Sequence, residues 1–341
     1  MSVEAVRVGV IGAGLIARRA HLPAYIESPE AEVVALAGGR VERAREVAAE
    51  FGNPRVYERW QDLVAAPDVE AVDICAPNYL HAEMAVAAAR AGKHVLVEKP
   101  MALTLAEADA MIEAARASGV VLMVAHNLRF VPVYEQVKRI VADGVIGRPL
   151  SARGVFMHAG PDEFWGADSE WFWDERKAGG GSLLDMGIHM IDLMRWFIDE
   201  PVVEVTAMTS RLLKPTPFDD NAIAILRFLG GAIASVQASW SARPVPDRQV
   251  TIHGELGYVA MGRTPSEPLV VHVKHGDSER RYAPEIPRTS TLANPFVHFV
   301  RCVRSGEAPL TGGEEGRRTL EVVLAAYESA RLGRAVKLST S

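Results

Sequence analysis

The segment Gly12-Ala13-Gly14-Leu15-Ile16-Ala17 follows directly on the apolar run Val6–Ile11 and opens a helical stretch. No other feature restricts the fold so strongly. Gly12 allows a tight turn, and Gly14 lets the backbone approach an anion. Ala17 permits close helix–strand packing, and Leu15 and Ile16 lie in the first turn of a helix whose N-terminus faces that anion. The pattern alone is weak, but between the first strand and first helix of a strand–helix array it is strong. Apolar runs at Val6–Ile11, Val33–Ala37, Val69–Ala76, His94–Val97 and Val120–Val124 are separated by amphipathic stretches at Val41–Phe51, Glu83–Ala91 and Leu105–Ser118. Strands that stay apolar along their length belong in a parallel sheet covered on both faces. The expectation for residues 1–125 is an α/β, Rossmann-type doubly wound sheet that binds a dinucleotide.

Beyond residue 125 the rhythm changes. Helices are expected at Pro132–Asp143 and Ser182–Phe197, followed by strands at Val202–Thr209, Ala222–Phe228, Ala232–Trp240, Gln249–His253 and Leu269–Lys274. Leu229-Gly230-Gly231 reads as a hairpin turn between two of them. Helices near Pro295–Ser305 and Glu314–Leu332 close the chain. Residues 126–341 are therefore expected to form one α+β domain with a large, mostly antiparallel open sheet. A length of 341 residues agrees with two domains of about 150 residues each.

Composition removes several classes. The chain is 49% hydrophobic and 23% charged, enough for a sizeable core. Lys and Arg number 37 against 43 Asp and Glu, a net charge of −6, so no overall basic field would hold nucleic acid or an anionic membrane. No apolar run approaches the ~18 residues of a membrane span, and the N-terminus enters a strand pattern without a basic-then-apolar leader. Cys75 and Cys302 form no motif, and a reducing, cytoplasmic setting is the simplest. His-Glu-x-x-His and Cys-x-x-Cys are absent, and the nearest histidine pair, His272 and His275, has no nearby cysteine. No metal site is expected. Neither a Gly-x-Ser-x-Gly elbow nor a P-loop occurs.

An NAD site places a carboxylate at the end of the second strand, to hold the ribose 2′-hydroxyl. Here that strand ends in Gly38-Gly39-Arg40, with Gly38 lying 24 residues after Gly14. Arg40 and Arg43 suit a 2′-phosphate instead. The expectation is NADP, with NAD possible; the blander reading makes both arginines solvated charges at a helix start.

Two clusters carry reactive side chains. Glu98-Lys99-Pro100 ends the fourth apolar run, at the carboxyl edge of the sheet, where such folds bind ligands. A surface ion pair is the plain alternative. In Gly179–Asp192, Asp185 and His189 are four apart and Asp192 three further on, which puts all three on one helical face. A histidine flanked by two carboxylates is suited to acid/base work near neutral pH, although an Asp–His pair on a helix is often structural. Gly187 within this helix costs about 1 kcal/mol against Ala, which suggests a close neighbour, the cofactor among the options.

These residues, with Ala76-Pro77-Asn78-Tyr79-Leu80-His81, Gly92–Pro100 and Arg129-Phe130-Val131-Pro132, make the chain resemble the glucose–fructose oxidoreductase / inositol dehydrogenase / rhizopine-catabolism (Gfo/Idh/MocA) family of nicotinamide oxidoreductases over nearly its whole length. The resemblance implies hydride transfer between the nicotinamide and a carbinol or carbonyl carbon of a sugar, polyol or related compound. It implies that Lys99, Asp185 and His189 are catalytic and touch substrate. His189 would move the hydroxyl proton, Lys99 would polarise the oxygen, and Asp185 would orient the substrate or the histidine. Ala76, Pro77, Asn78 and His81 would line the cofactor, with Gly39, Lys99 and Asn127 beside it and Glu98 near the nicotinamide ribose. Trp171 would wall the substrate pocket, and ordinary aromatic core is its alternative. A homodimer or homotetramer built on the open sheet is also implied. A redox-neutral NAD-dependent glycosidase and a non-catalytic dinucleotide- or sugar-binding regulator share the fold.

Overall fold

A computed structural model of the protein describes residues 4–166, 170–262 and 267–339. The chain forms two compact units, Met1–Asn127 with Leu292–Arg318, and Leu128–Thr291 with Thr319–Ser341.

The first unit holds a six-stranded sheet of β1 (Val6–Ile11), β2 (Ala31–Ala37), β3 (Arg55–Tyr57), β4 (Ala71–Ile74), β5 (His94–Val97) and β6 (Leu122–Val124). Its order is β3-β2-β1-β4-β5-β6, with every pairing parallel. The order reverses between β1 and β4, which creates the crevice where doubly wound sheets take ligands. Val8, Val10, Val72, Ile74, Val95 and Leu96 are all buried, as strands covered on both faces require. Helix Leu105–Ser118 starts at a capping box, in which the Thr104 hydroxyl accepts from Glu107 N and the Glu107 carboxylate accepts from Thr104 N. It stops at Gly119, whose φ of 64° suits a residue without Cβ.

The expected division at residue 125 is corrected in one respect. Leu292–Arg318 belongs to the first unit, because helix Pro295–Ser305 buries its apolar face there. The Phe296 ring lies 4.2 Å from that of His21 and 5.7 Å from that of Tyr25, and Arg301 pairs with Glu30. Val124 N donates to Thr311 O at 2.8 Å, which ties the returning segment to β6.

The second unit is built on a nine-stranded sheet of β7 (Pro149–Met157), β8 (Val202–Ser210), β9 (Asn221–Phe228), β10 (Ile233–Ser239), β11 (Asp247–Gly254), β12 (Gly257–Met261), β13 (Leu269–His275), β14 (Ser278–Tyr282) and β15 (Val336–Lys337). The order is β14-β13-β12-β11-β7-β10-β9-β8-β15. Only β7 and β10 run parallel; the other pairings are antiparallel. Helix Ile188–Ile198 packs on the inner face, where Gly154 of β7 leaves room for Met190 and Met194. The opposite face exposes Met208, Ile223, Ile225 and Ile233. No described helix is long and apolar enough to cross a membrane.

Candidate functional site

In the first unit the glycine turn sits at the switch point. Gly12 has φ +112°, and a Cβ there would stand 2.4 Å from Cys75 O, so the turn presses on the end of β4. Gly12 N donates to Ala37 O at 2.7 Å, joining the turn to β2 as well. Among the described residues, no atom beyond the chain neighbours comes within 4 Å of where a Gly14 or Gly39 Cβ would stand. Leu15 and Ile16 are half-buried, and Arg40 is exposed at the N-cap of helix Val41–Glu50 with Arg43 in its first turn. Asn127 Oδ1 is buried with no hydrogen-bond partner among the described residues. Open backbone at Gly14 and an orphaned buried acceptor at Asn127 fit a bound dinucleotide.

The half-buried loop Ala76-Pro77-Asn78 leads into His81. His81, expected to line the cofactor, has its ring inside the loop's own packing. Its ring is buried, with Nδ1 2.7 Å from Pro100 O and Nε2 2.8 Å from Ala76 O, so it braces the loop from within. Burial lowers its pKa, against the pull of the two carbonyls. Glu98 is likewise committed inward: Oε1 lies 3.0 Å from His21 Nε2, and Oε2 accepts from Lys99 N at 3.1 Å. His21 Nδ1 is 2.8 Å from Asp73 Oδ2 and 3.1 Å from Cys75 Sγ. His21, Asp73 and Cys75 are metal-ligand types, but their spacings are those of hydrogen bonds.

In the second unit, the helix carrying Asp185 is not regular. Leu183–Gly187 is a π-turn that widens the helix just before Ile188–Ile198, a distortion often found at functional sites. Asp185 Oδ2 accepts from Trp240 Nε1 at 3.1 Å, with His158 Nε2 4.0 Å away. Gly160 N donates to His158 Nδ1 at 2.9 Å, which leaves the imidazole proton on the Nε2 facing Asp185. His158 and Trp240 follow the ends of the paired parallel strands β7 and β10, where Met157 is in register with Ser239. Trp173 packs edge-on against Trp240 at 6.0 Å, while half-buried Trp171 stacks on Phe172. His189 is buried with its ring 5.8 Å from that of Phe156.

One expectation for this helix is corrected: Asp192, read as a carboxylate beside His189, is committed to a buried guanidinium. It takes a two-pronged ion pair from buried Arg129, at 2.9 and 2.7 Å, and a hydrogen bond from Thr319. The close neighbours that Gly187 admits are Leu183 at 2.7 Å and Ala238 of β10 at 3.4 Å. Sequence reasoning missed Trp240, His158 and Asp219. Asp219 accepts from Gly181 N, Ser182 Oγ, Leu183 N and Tyr327, and so anchors the glycine run. Burial raises the Asp219 pKa despite these donors.

A parallel six-stranded sheet with an open glycine turn at its switch point, followed by an open mixed sheet carrying an Asp/His π-turn helix, defines a dinucleotide-dependent oxidoreductase. Residues 6–126 match the oxidoreductase family with NAD-binding Rossmann fold, and residues 134–260 match the GFO/IDH/MocA C-terminal domain. The chain belongs to the Gfo/Idh/MocA oxidoreductase family. It is 32% identical to the myo-inositol 2-dehydrogenase of Thermotoga maritima, over 97% of this chain and 98% of that protein. It is also 32% identical to the 1,5-anhydro-D-fructose reductase of Ensifer adhaerens, over 98% and 99% of the two chains. The solved levoglucosan dehydrogenase bound to NADH and levoglucosan superposes with a TM-score of 0.87 at 29% identity, covering 99% of this chain and all of that one.

Proposed function

We propose that the protein is a dehydrogenase or reductase of a sugar, polyol or related compound, with NADP preferred over NAD. The observation that carries the reading is the Asp185 carboxylate held by Trp240 on a π-turn one helical step before His189, in a chain whose relatives include dehydrogenases of cyclic polyols and anhydrosugars. Gly12, Gly14 and Asn127 would hold the dinucleotide, whose nicotinamide would supply or accept the hydride of the carbinol carbon. His189 takes the hydroxyl proton on oxidation and returns it on reduction. Lys99 donates to the same oxygen and stabilises its alkoxide character, and Asp185 orients the substrate or the histidine. Trp171 lines the substrate. The preference for NADP rests on Gly38 and Gly39 at the tip of β2, where a carboxylate would favour NAD, with Arg40 and Arg43 beside them. A homodimer or homotetramer is supported by the apolar outer face of β8, β9 and β10. Free, buried Cys75 and Cys302 support a reducing, cytoplasmic setting.

His189→Ala tests the acid/base role. The account expects turnover to fall by about a hundredfold or more, with the pH dependence near neutrality abolished. A profile like the parent's removes His189 from the role.

A further inference from the structure

A buried chain of polar groups runs beneath the carboxyl edge of the first unit's sheet. His21, on a widened π-turn at Ala17–His21, is fully buried. Its two ring nitrogens face two carboxylates, Asp73 at the end of β4 and Glu98 just beyond β5. An ionised carboxylate only accepts, so both contacts are made only when the ring carries both protons. Among the described residues, Tyr25 and Cys75 are neutral neighbours of this cluster, and the Phe296 ring packs against the imidazole. Burial works against charge on His21, but Asp73 and the neighbouring hydrogen bonds hold its pKa well above the ordinary value. The Cys75 thiol is pushed up to about 12 by burial and Asp73, and Tyr25 rises for the same reasons, so neither competes for the role of anion. Burial would raise the Glu98 pKa, yet His21, Lys99 and His81 bring it below the usual carboxylate value.

We infer that His21 is a positioning residue: as an imidazolium bridging Asp73 and Glu98, it fixes the carboxylate whose other oxygen holds the Lys99 backbone, and so sets the lysine's position. The inference rests on Lys99 acting at the reacting oxygen. The helix after the cofactor turn thereby has a second task besides facing the pyrophosphate, because its π-turn carries His21 into the sheet edge. His81 braces the same tripeptide from the other side through Pro100 O. Glu98-Lys99-Pro100 is thus held at both ends by buried imidazoles, one charged and one neutral.

Nitrogen-15 NMR of the full chain's histidines tests the charge without requiring turnover. His21 should show two protonated ring nitrogens at about pH 8, where an ordinary imidazole is neutral. A neutral tautomer there overturns the inference. His21→Gln should lower kcat about tenfold or more, while the dissociation constants for NADPH and NADH, read by fluorescence, change less than about threefold. Asp73→Asn should lower kcat in the same direction while keeping the ring–Glu98 contact, and it stands in if the Gln variant does not fold. Parent-like kcat in a folded His21→Gln protein overturns the inference. Lys99→Met separates the two levels. If it loses turnover while His21→Gln keeps it, only the positioning role falls; if Lys99→Met keeps turnover, the reading of Lys99 falls.

Discussion

Asp185 owes its place to a tryptophan 55 residues further along the chain. An isolated carboxylate near an apolar core needs donors to stay oriented, and the Trp240 indole supplies one from a fully buried ring. Trp240→Phe keeps an aromatic side chain, though a smaller one, and removes the N–H, worth about 1 kcal/mol or somewhat more for a charged acceptor. We expect kcat to fall roughly tenfold with a small loss in melting temperature, measured by steady-state kinetics and thermal melts. An unchanged kcat would take Trp240 out of the site. His21 makes a different prediction. Its folded pKa is raised, so its charge contributes stability in full below the ordinary imidazole value, and that contribution is lost as pH rises through the folded value. The difference in urea midpoint between the parent and His21→Gln should therefore be largest below the ordinary imidazole value and shrink steadily as pH rises above it. A difference that does not change with pH across neutrality and above would contradict the charge assignment.

Elements show what the sequence made legible and what it withheld. The glycine turn and the mostly apolar strands β1, β4 and β5 are local signals, and they stand where expected. Arg55–Tyr57 is an edge strand of three residues, too short for periodicity to register. β7 lies at the centre of the second sheet, yet Arg153 and Gly154 interrupt its apolar pattern. Arg153 faces outward, and Gly154 exists for the methionines packed above it. Missing β7 hid His158, just as treating Trp240 as a strand end hid its bond to Asp185. The surroundings of the second carboxylate were hidden for a related reason: helical spacing places Asp192 near His189 but cannot show Arg129 arriving from another segment. At the tip of β2 the prediction is specific. Arg40→Ala should weaken NADPH binding about tenfold and spare NADH, as read by fluorescence titration. Equal losses for both nucleotides would sink the 2′-phosphate assignment.

At the scale of the whole molecule, the outer face of the second sheet is unusual for a surface. Met208 pairs with Ile223 across β8 and β9, and Ile225 and Ile233 continue the stripe, with exposures from 41% to 80%. Contiguous exposed apolar area of this kind supports the assembly proposed above. Ile225→Lys should shift the protein to a smaller assembly in sedimentation, with the fold intact by circular dichroism; an unchanged sedimentation coefficient would exclude this face. The central claim is catalytic, and nicotinamide absorbance tests it most directly. The protein would be incubated with sugars, polyols and keto-sugars, with NADP and NAD in both redox directions, and Lys99→Met as control. The account predicts turnover with at least one such compound, faster with NADP, that falls by about a hundredfold or more in the control. Tight dinucleotide binding without any net change in absorbance would contradict it and point to a redox-neutral glycosidase or a regulator.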